Sequence, residues 1–192
     1  MNLPNKLTLF RICLIPFMVI AYYIKPLHEI MIIASVDFTL ANLIVLVIFC
    51  IASFTDFLDG YLARKNNLIT TFGKFMDPLA DKVLVLAALM IMLESNKIPG
   101  WVVTIILARE FLVTGIRLVA VGENNVIAAS KLGKLKTISQ MIMIIVVLLN
   151  NYPFSLINIP MDTILIYIAC ILTLVSGIDY FIKNRQIILE QM

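Results

Sequence analysis

Four aspartates fall within "SFTDFLDGYLARKNNLITTFGKFMDPLADK", residues 53–82, with long apolar runs on either side. Asp56 and Asp59 stand three apart and Asp77 and Asp81 four apart, so on helices each pair projects from one face. Two such helices packed side by side converge four carboxylates on one point, where they repel unless cations intervene. Two divalent cations satisfy that need, and an all-oxygen donor set favours Mg²⁺ or Mn²⁺ over softer metals. A pair of such ions suits an in-line displacement at phosphorus.

The elements that must carry these residues are long and apolar. A membrane-spanning helix needs about 20 apolar residues, and runs at 10–24, 38–58, 75–93, 99–121, 138–150 and 161–182 predict six. The expected fold is all-α: one domain over residues 1–192, an integral membrane bundle of six transmembrane helices. Residues 2–11 are expected to form a short N-terminal amphipathic helix on the membrane surface. Lys25 and Lys97 fall on one side of this layout and the other thirteen of the fifteen lysines and arginines on the other. The positive-inside rule then puts both termini in the cytoplasm.

Depth decides what the acids can meet. At 1.5 Å per residue, Asp56 lies about 28 Å below the outer end of its span, Asp77 about 26 Å and Asp81 about 20 Å. All four therefore sit toward the cytoplasmic surface. An aspartate at mid-membrane costs roughly 2.5–3.5 kcal/mol, which makes such acids candidates for function. Gly60 and Ala63 continue the Asp56 face, and Gly73 stands one turn before Asp77. Their missing side chains let a ligand approach the backbone. Arg64 offers a fork of donors to phosphate, although an inner-face charge and close helix packing explain these residues too.

Asp56, Asp59, Gly60, Ala63, Arg64, Gly73, Asp77 and Asp81 fit the pattern DxxDGxxARx8GxxxDxxxD without a departure. That pattern resembles the signature of the CDP-alcohol phosphotransferase family, and the likeness extends to the length and six-span layout. The resemblance implies transfer of a substituted phosphate from a CDP-linked donor to an alcohol, with release of CMP. It implies that Asp56, Asp59, Asp77 and Asp81 hold two metals and that Asp81 is also the general base. It further implies that Asp56, Asp59, Gly60, Ala63, Arg64, Thr70 and Gly73 hold the cytidine diphosphate, and that the protein is a homodimer.

A second charged set bears on the acceptor. "LAREFLVTGIRLVA" places Arg109 about 12 Å inside its span, with Arg117 two turns further, and "SKLGKLKT" adds Lys134 and Lys136. These cations suit a phosphate-bearing acceptor. The bland alternative pairs Glu110 with Arg117, seven residues apart on one face. The "NLPNKLTLFRI" start and the "ARE...GIR...GKLKT" pattern look most similar to the family branch that joins CDP-diacylglycerol to sn-glycerol 3-phosphate. Inositol phosphate, serine or phosphatidylglycerol are the alternative acceptors. Asn5, Thr8 and Arg11 are candidates to close the entrance from the cytosol.

Composition excludes a soluble domain: 61% of residues are hydrophobic and 14% charged, and mean hydropathy is +1.02. Membrane lipids and small phosphorylated substrates, rather than nucleic acid, are the expected partners, and a multi-pass cell-membrane location with its site facing the cytoplasm follows. Lys6 and Arg11 ahead of an apolar stretch superficially match a secretory signal. No small-residue cleavage site follows, so a retained span is expected. Cys13, Cys50 and Cys170 are isolated, without metal-ligand spacing, and read as packing residues. From another class, a divalent-cation transporter also uses intramembrane acids, but expects them near the midplane in corresponding halves of the chain. Here they occupy one half and one surface.

Overall fold

The computed structural model describes residues 2–65, 71–122 and 130–185. Long apolar stretches leave each backbone polar group no partner but its own helix, and six long helices result: α1 (Leu3–Tyr23), α3 (Leu40–Lys65), α4 (Thr71–Glu94), α5 (Gly100–Gly122), α6 (Lys131–Leu148) and α7 (Met161–Lys183). A five-residue helix, α2 (Lys25–Glu29), follows α1. Among the described residues, three helices are long and apolar enough to cross a membrane, over Asn5–Tyr23, Leu40–Gly60 and Met161–Lys183. The other three long helices carry Asp77, Asp81, Arg109, Glu110, Lys134 and Lys136.

One expectation needs correction. Residues 2–11 do not form a separate surface helix, because α1 runs unbroken from Leu3 to Tyr23. Asn5, Thr8 and Arg11 are buried along it, Arg11 completely, and a face that carries buried polar groups cannot lie flat on a membrane surface. The fold is all-helical as expected, with one small addition. The connection after α2 forms a small antiparallel pair, β1 (Met31–Ile33) with β2 (Phe38–Thr39), in register Met31 to Thr39 and Ile33 to Phe38. Asp37 turns the chain there in the left-handed region, φ 51°, which a short polar side chain tolerates.

The start of α6 shows how local chemistry sets a boundary. Ser130 accepts the Gly133 N–H at 3.0 Å, capping a helix that begins at Lys131, seven residues before the predicted span. That brings Lys134 and Lys136 onto the helix. Pro78 lies within α4, directly after Asp77, and removes one backbone donor beside the acids.

The apolar core joins α1, α3, α4, α5, α6 and α7, with Met18, Phe49, Leu84, Leu89, Met92, Ile106, Met143 and Ile144 fully enclosed. α1 packs along both α3 and α4, and α7 closes against α5 and α6. The core thus leaves two polar regions at one end of the bundle, the first where α1 meets α3 and α4, the second where α4 meets α5 and α6. Of the cysteines, Cys170 is buried in this core while Cys13 and Cys50 are exposed, and none is bonded to another.

Candidate active site

Three of the four aspartates meet around α1. Arg11, with no exposed surface, donates from Nη1 to Asp56 Oδ1 at 2.5 Å and from Nη2 to Asp59 Oδ2. Thr8 Oγ1 donates to Asp77 Oδ1 at 2.6 Å and lies 3.5 Å from Asp59 Oδ2. The spacing of three between Thr8 and Arg11 puts both on one helix face, turned to the acids of α3 and α4. Asp59 is enclosed, 3% exposed, whereas Asp56 is 39% exposed and marks the open edge of the cluster.

The second region is cationic. A cleft of about 520 Å³ opens between α4, α5 and α6, and its wall carries Asp81, Lys82, Arg109, Arg117 and Lys134 around Glu110. Glu110 Oε1 accepts from Lys136 Nζ of α6 and from Arg109 Nη1 at 3.1 Å. Lys82 Nζ donates to Thr114 Oγ1, whose own hydroxyl bonds the Glu110 carbonyl at 2.6 Å. Arg109 packs tightly on Gly177, where a Cβ would come within 3.0 Å of Arg109 Cγ. Among the described residues, Arg109 Nε is buried without a partner. A buried donor in that state favours an anionic ligand.

Asp81 belongs to both regions. It lines the cationic cleft and stands one turn beyond Asp77 on the same face of α4. A carboxylate so placed can accept a proton from a group in the cleft while the acids beside it engage something else.

The acid cluster fits divalent cations by its donor chemistry. Arg11 and Thr8 each use a single oxygen of each carboxylate they touch, Oδ1 of Asp56, Oδ2 of Asp59 and Oδ1 of Asp77. Hydrogen-bond donors behind a metal-binding carboxylate orient it in this way, and hard cations take oxygen ligands. Among the described residues no three acidic side chains are gathered at coordinating distance of one point; Arg11 stands between Asp56 and Asp59. Thr70 lies outside the described residues, as do the side chains of Ala63 and Arg64. Gly60 is partly exposed and Gly73 buried.

The sequence profile of the CDP-alcohol phosphatidyltransferase family matches residues 1–175. The chain belongs to that family. Its relatives include proteins named CDP-diacylglycerol–glycerol-3-phosphate 3-phosphatidyltransferase. The one from Bacillus subtilis is 47% identical over 183 residues, covering 95% of this chain and 95% of the relative. The one from Rickettsia felis is 37% identical over 181 residues, 94% of this chain and 93% of the relative. That from Salmonella choleraesuis is 36% identical over 199 residues, 99% and 98%. Family membership makes the chain a transferase of phospholipid synthesis, and enzymes of the CDP-alcohol phosphatidyltransferase family use divalent metals.

Thr8 and Arg11 were expected at an entrance; they lie inside the acid cluster instead. The available signal was an arginine in an apolar helix with no acid of its own within reach. The alternative pairing of Glu110 with Arg117 does not form. Glu110 takes Lys136 and Arg109, while Arg117 lies exposed over the Tyr180 ring, 5.7 Å from its centroid.

Proposed function

We propose that this protein is a phosphatidylglycerophosphate synthase: it transfers the phosphatidyl group of CDP-diacylglycerol to sn-glycerol 3-phosphate and releases CMP. Relatives bearing that activity in their names match nearly the full chain. The observation that carries the reading is the position of Asp81, on the wall of a cleft rich in arginine and lysine and one turn beyond Asp77 on α4.

In this reading the acceptor's phosphate lies in the cleft against Arg109, with Lys134 and Arg117 at its rim. Arg109 Nε, buried and unpartnered among the described residues, supplies a donor to it. Glu110 holds Lys136 and the Arg109 guanidinium in place. Asp81 takes the proton of the C1 hydroxyl as that oxygen bonds the β-phosphorus of the donor, and the bond from this phosphorus to the CMP oxygen breaks. Asp56, Asp59, Asp77 and Asp81 would hold two divalent cations, Mg²⁺ or Mn²⁺, which supply positive charge to the diphosphate. Thr8 and Arg11 keep Asp56, Asp59 and Asp77 oriented. Gly60, Ala63, Arg64, Thr70 and Gly73 are assigned to the cytidine diphosphate by the family pattern.

The same reading has the six long helices span the membrane, both termini cytoplasmic, and the site open to the cytosol where both polar substrates are. It also includes a homodimer. Purified protein supplied with CDP-diacylglycerol and Mg²⁺, and in parallel with glycerol 3-phosphate, serine or inositol phosphate, tests the acceptor. CMP release with glycerol 3-phosphate alone is the expected result; equal release with serine would remove any role for the cationic cleft.

A further inference from the structure

At the end of α4 away from the acids, a second polar site is built around one lysine. From Asp81 to Glu94 the helix rises about 20 Å. It then ends in a tight motif: Asn96, at φ 56°, donates its N–H to the Leu93 carbonyl at 3.0 Å, and Lys97 donates to the Met92 carbonyl at 2.9 Å. This pins the Lys97 backbone beside the start of α7. A cavity of about 410 Å³ lies there, lined by Asn96, Lys97, Gly100, Thr163, Ile166 and Tyr167.

Lys97 has no hydrogen bond or ion pair from its ammonium among the described residues. The nearby acids are engaged elsewhere, since Glu94 accepts the Tyr23 hydroxyl and Asp162 Oδ1 accepts the Thr163 N–H at 2.7 Å. Gly100 and Trp101, the first residues of α5, likewise have no acceptor for their N–H groups among the described residues. Trp101 and Tyr167, half exposed with rings 6.3 Å apart, flank the cavity. Such aromatics mark a membrane–water interface.

We propose that this cavity binds the phosphate of an anionic headgroup, with Lys97 as its cation and the first N–H groups of α5 as further donors. The phosphate comes from an anionic phospholipid or from free phosphate. Either chemistry answers a cation held without a counter-ion, and an interfacial position favours the lipid. The site lies outside the transfer chemistry, so its failure leaves the proposed reaction untouched.

Burial pushes the Lys97 amine down to about 8, so at pH 8.5 it reacts readily with an amine-acylating ester, and a bound phosphate slows it by favouring the ammonium. The test compares labelling of Lys97, read by mass spectrometry, in phosphatidylcholine nanodiscs, in nanodiscs with added phosphatidylglycerol, and in phosphatidylcholine with inorganic phosphate. Exposed Lys25 is the internal control. The expected result is about fivefold or greater protection of Lys97 relative to Lys25, the scale of one lysine–anion contact at a surface. Protection by phosphatidylglycerol alone assigns the site to lipid, and equal protection by inorganic phosphate assigns it to the free anion. Lys97→Gln should keep wild-type CMP release while native mass spectrometry shows it losing bound phosphatidylglycerol or phosphate. Labelling equal in all three conditions, or unchanged retention in Lys97→Gln, overturns the proposal.

Discussion

The two polar regions of the bundle are opposites in charge and alike in design. Around α1, Asp56, Asp59 and Asp77 are answered by one arginine, leaving two negative charges among them. Around α5, the cations Lys82, Arg109, Arg117, Lys134 and Lys136 are answered by one glutamate, leaving four positive charges. A buried cluster of one sign is unstable by itself, so a single opposite charge holds each together in the fold. In the proposed function the excess that remains matches a ligand of opposite charge: divalent cations in the first, a phosphate in the second. Asp81 adjoins both.

The sharpest way to break this comparison is to remove the shared member. Asp81→Asn should lower CMP release by about 10³-fold, within the range for loss of a general base, while the detergent-solubilised protein keeps its melting behaviour; a variant releasing CMP at a near-normal rate removes Asp81 from the chemistry. Next comes the counter-ion of the acidic region. Arg11→Ala leaves Asp59 buried without its partner, a loss of roughly 3–5 kcal/mol in stability. Chemical denaturation should show it, and added Mg²⁺ should restore more stability to this variant than to the wild type, since a ligand stabilises the state that binds it. An unchanged midpoint would make Arg11 a bystander. The smallest effect belongs to the rim of the cationic region. Arg117 is exposed and stacked on Tyr180, and an exposed cation–π contact is worth about 0.5–1 kcal/mol. Arg117→Ala should therefore change the KM for glycerol 3-phosphate less than about threefold, and a larger change would make Arg117 a direct contact of the phosphate rather than a rim residue.

The acidic region was more legible in the sequence than the cationic one, for a physical reason. Acids three and four apart declare a common face within a single helix, so Asp56 with Asp59 and Asp77 with Asp81 could be grouped before any packing was known. The lengths of the long helices were legible for the same kind of reason, since apolar runs report span. Rotation was not, because a helix apolar on all sides does not say which face meets a neighbour. Hence the entry of Thr8 and Arg11 into the acid cluster, the choice of Lys136 over Arg117 by Glu110, and the seating of Arg109 against Gly177 of α7 appear only in the packed molecule. Each joins residues far apart in the chain. The hairpin at Met31–Thr39 was missed because its strands are short and lie in a connection between helices.

The claim that the two regions serve different ligands is tested most directly by Arg109→Ala in a two-substrate initial-rate measurement of CMP release. Losing a charge-assisted contact of about 1.5–3 kcal/mol should raise the KM for glycerol 3-phosphate by roughly tenfold to a hundredfold and leave the KM for CDP-diacylglycerol within about twofold of wild type. A KM that rises equally for both substrates, or for neither, would contradict the division of the site.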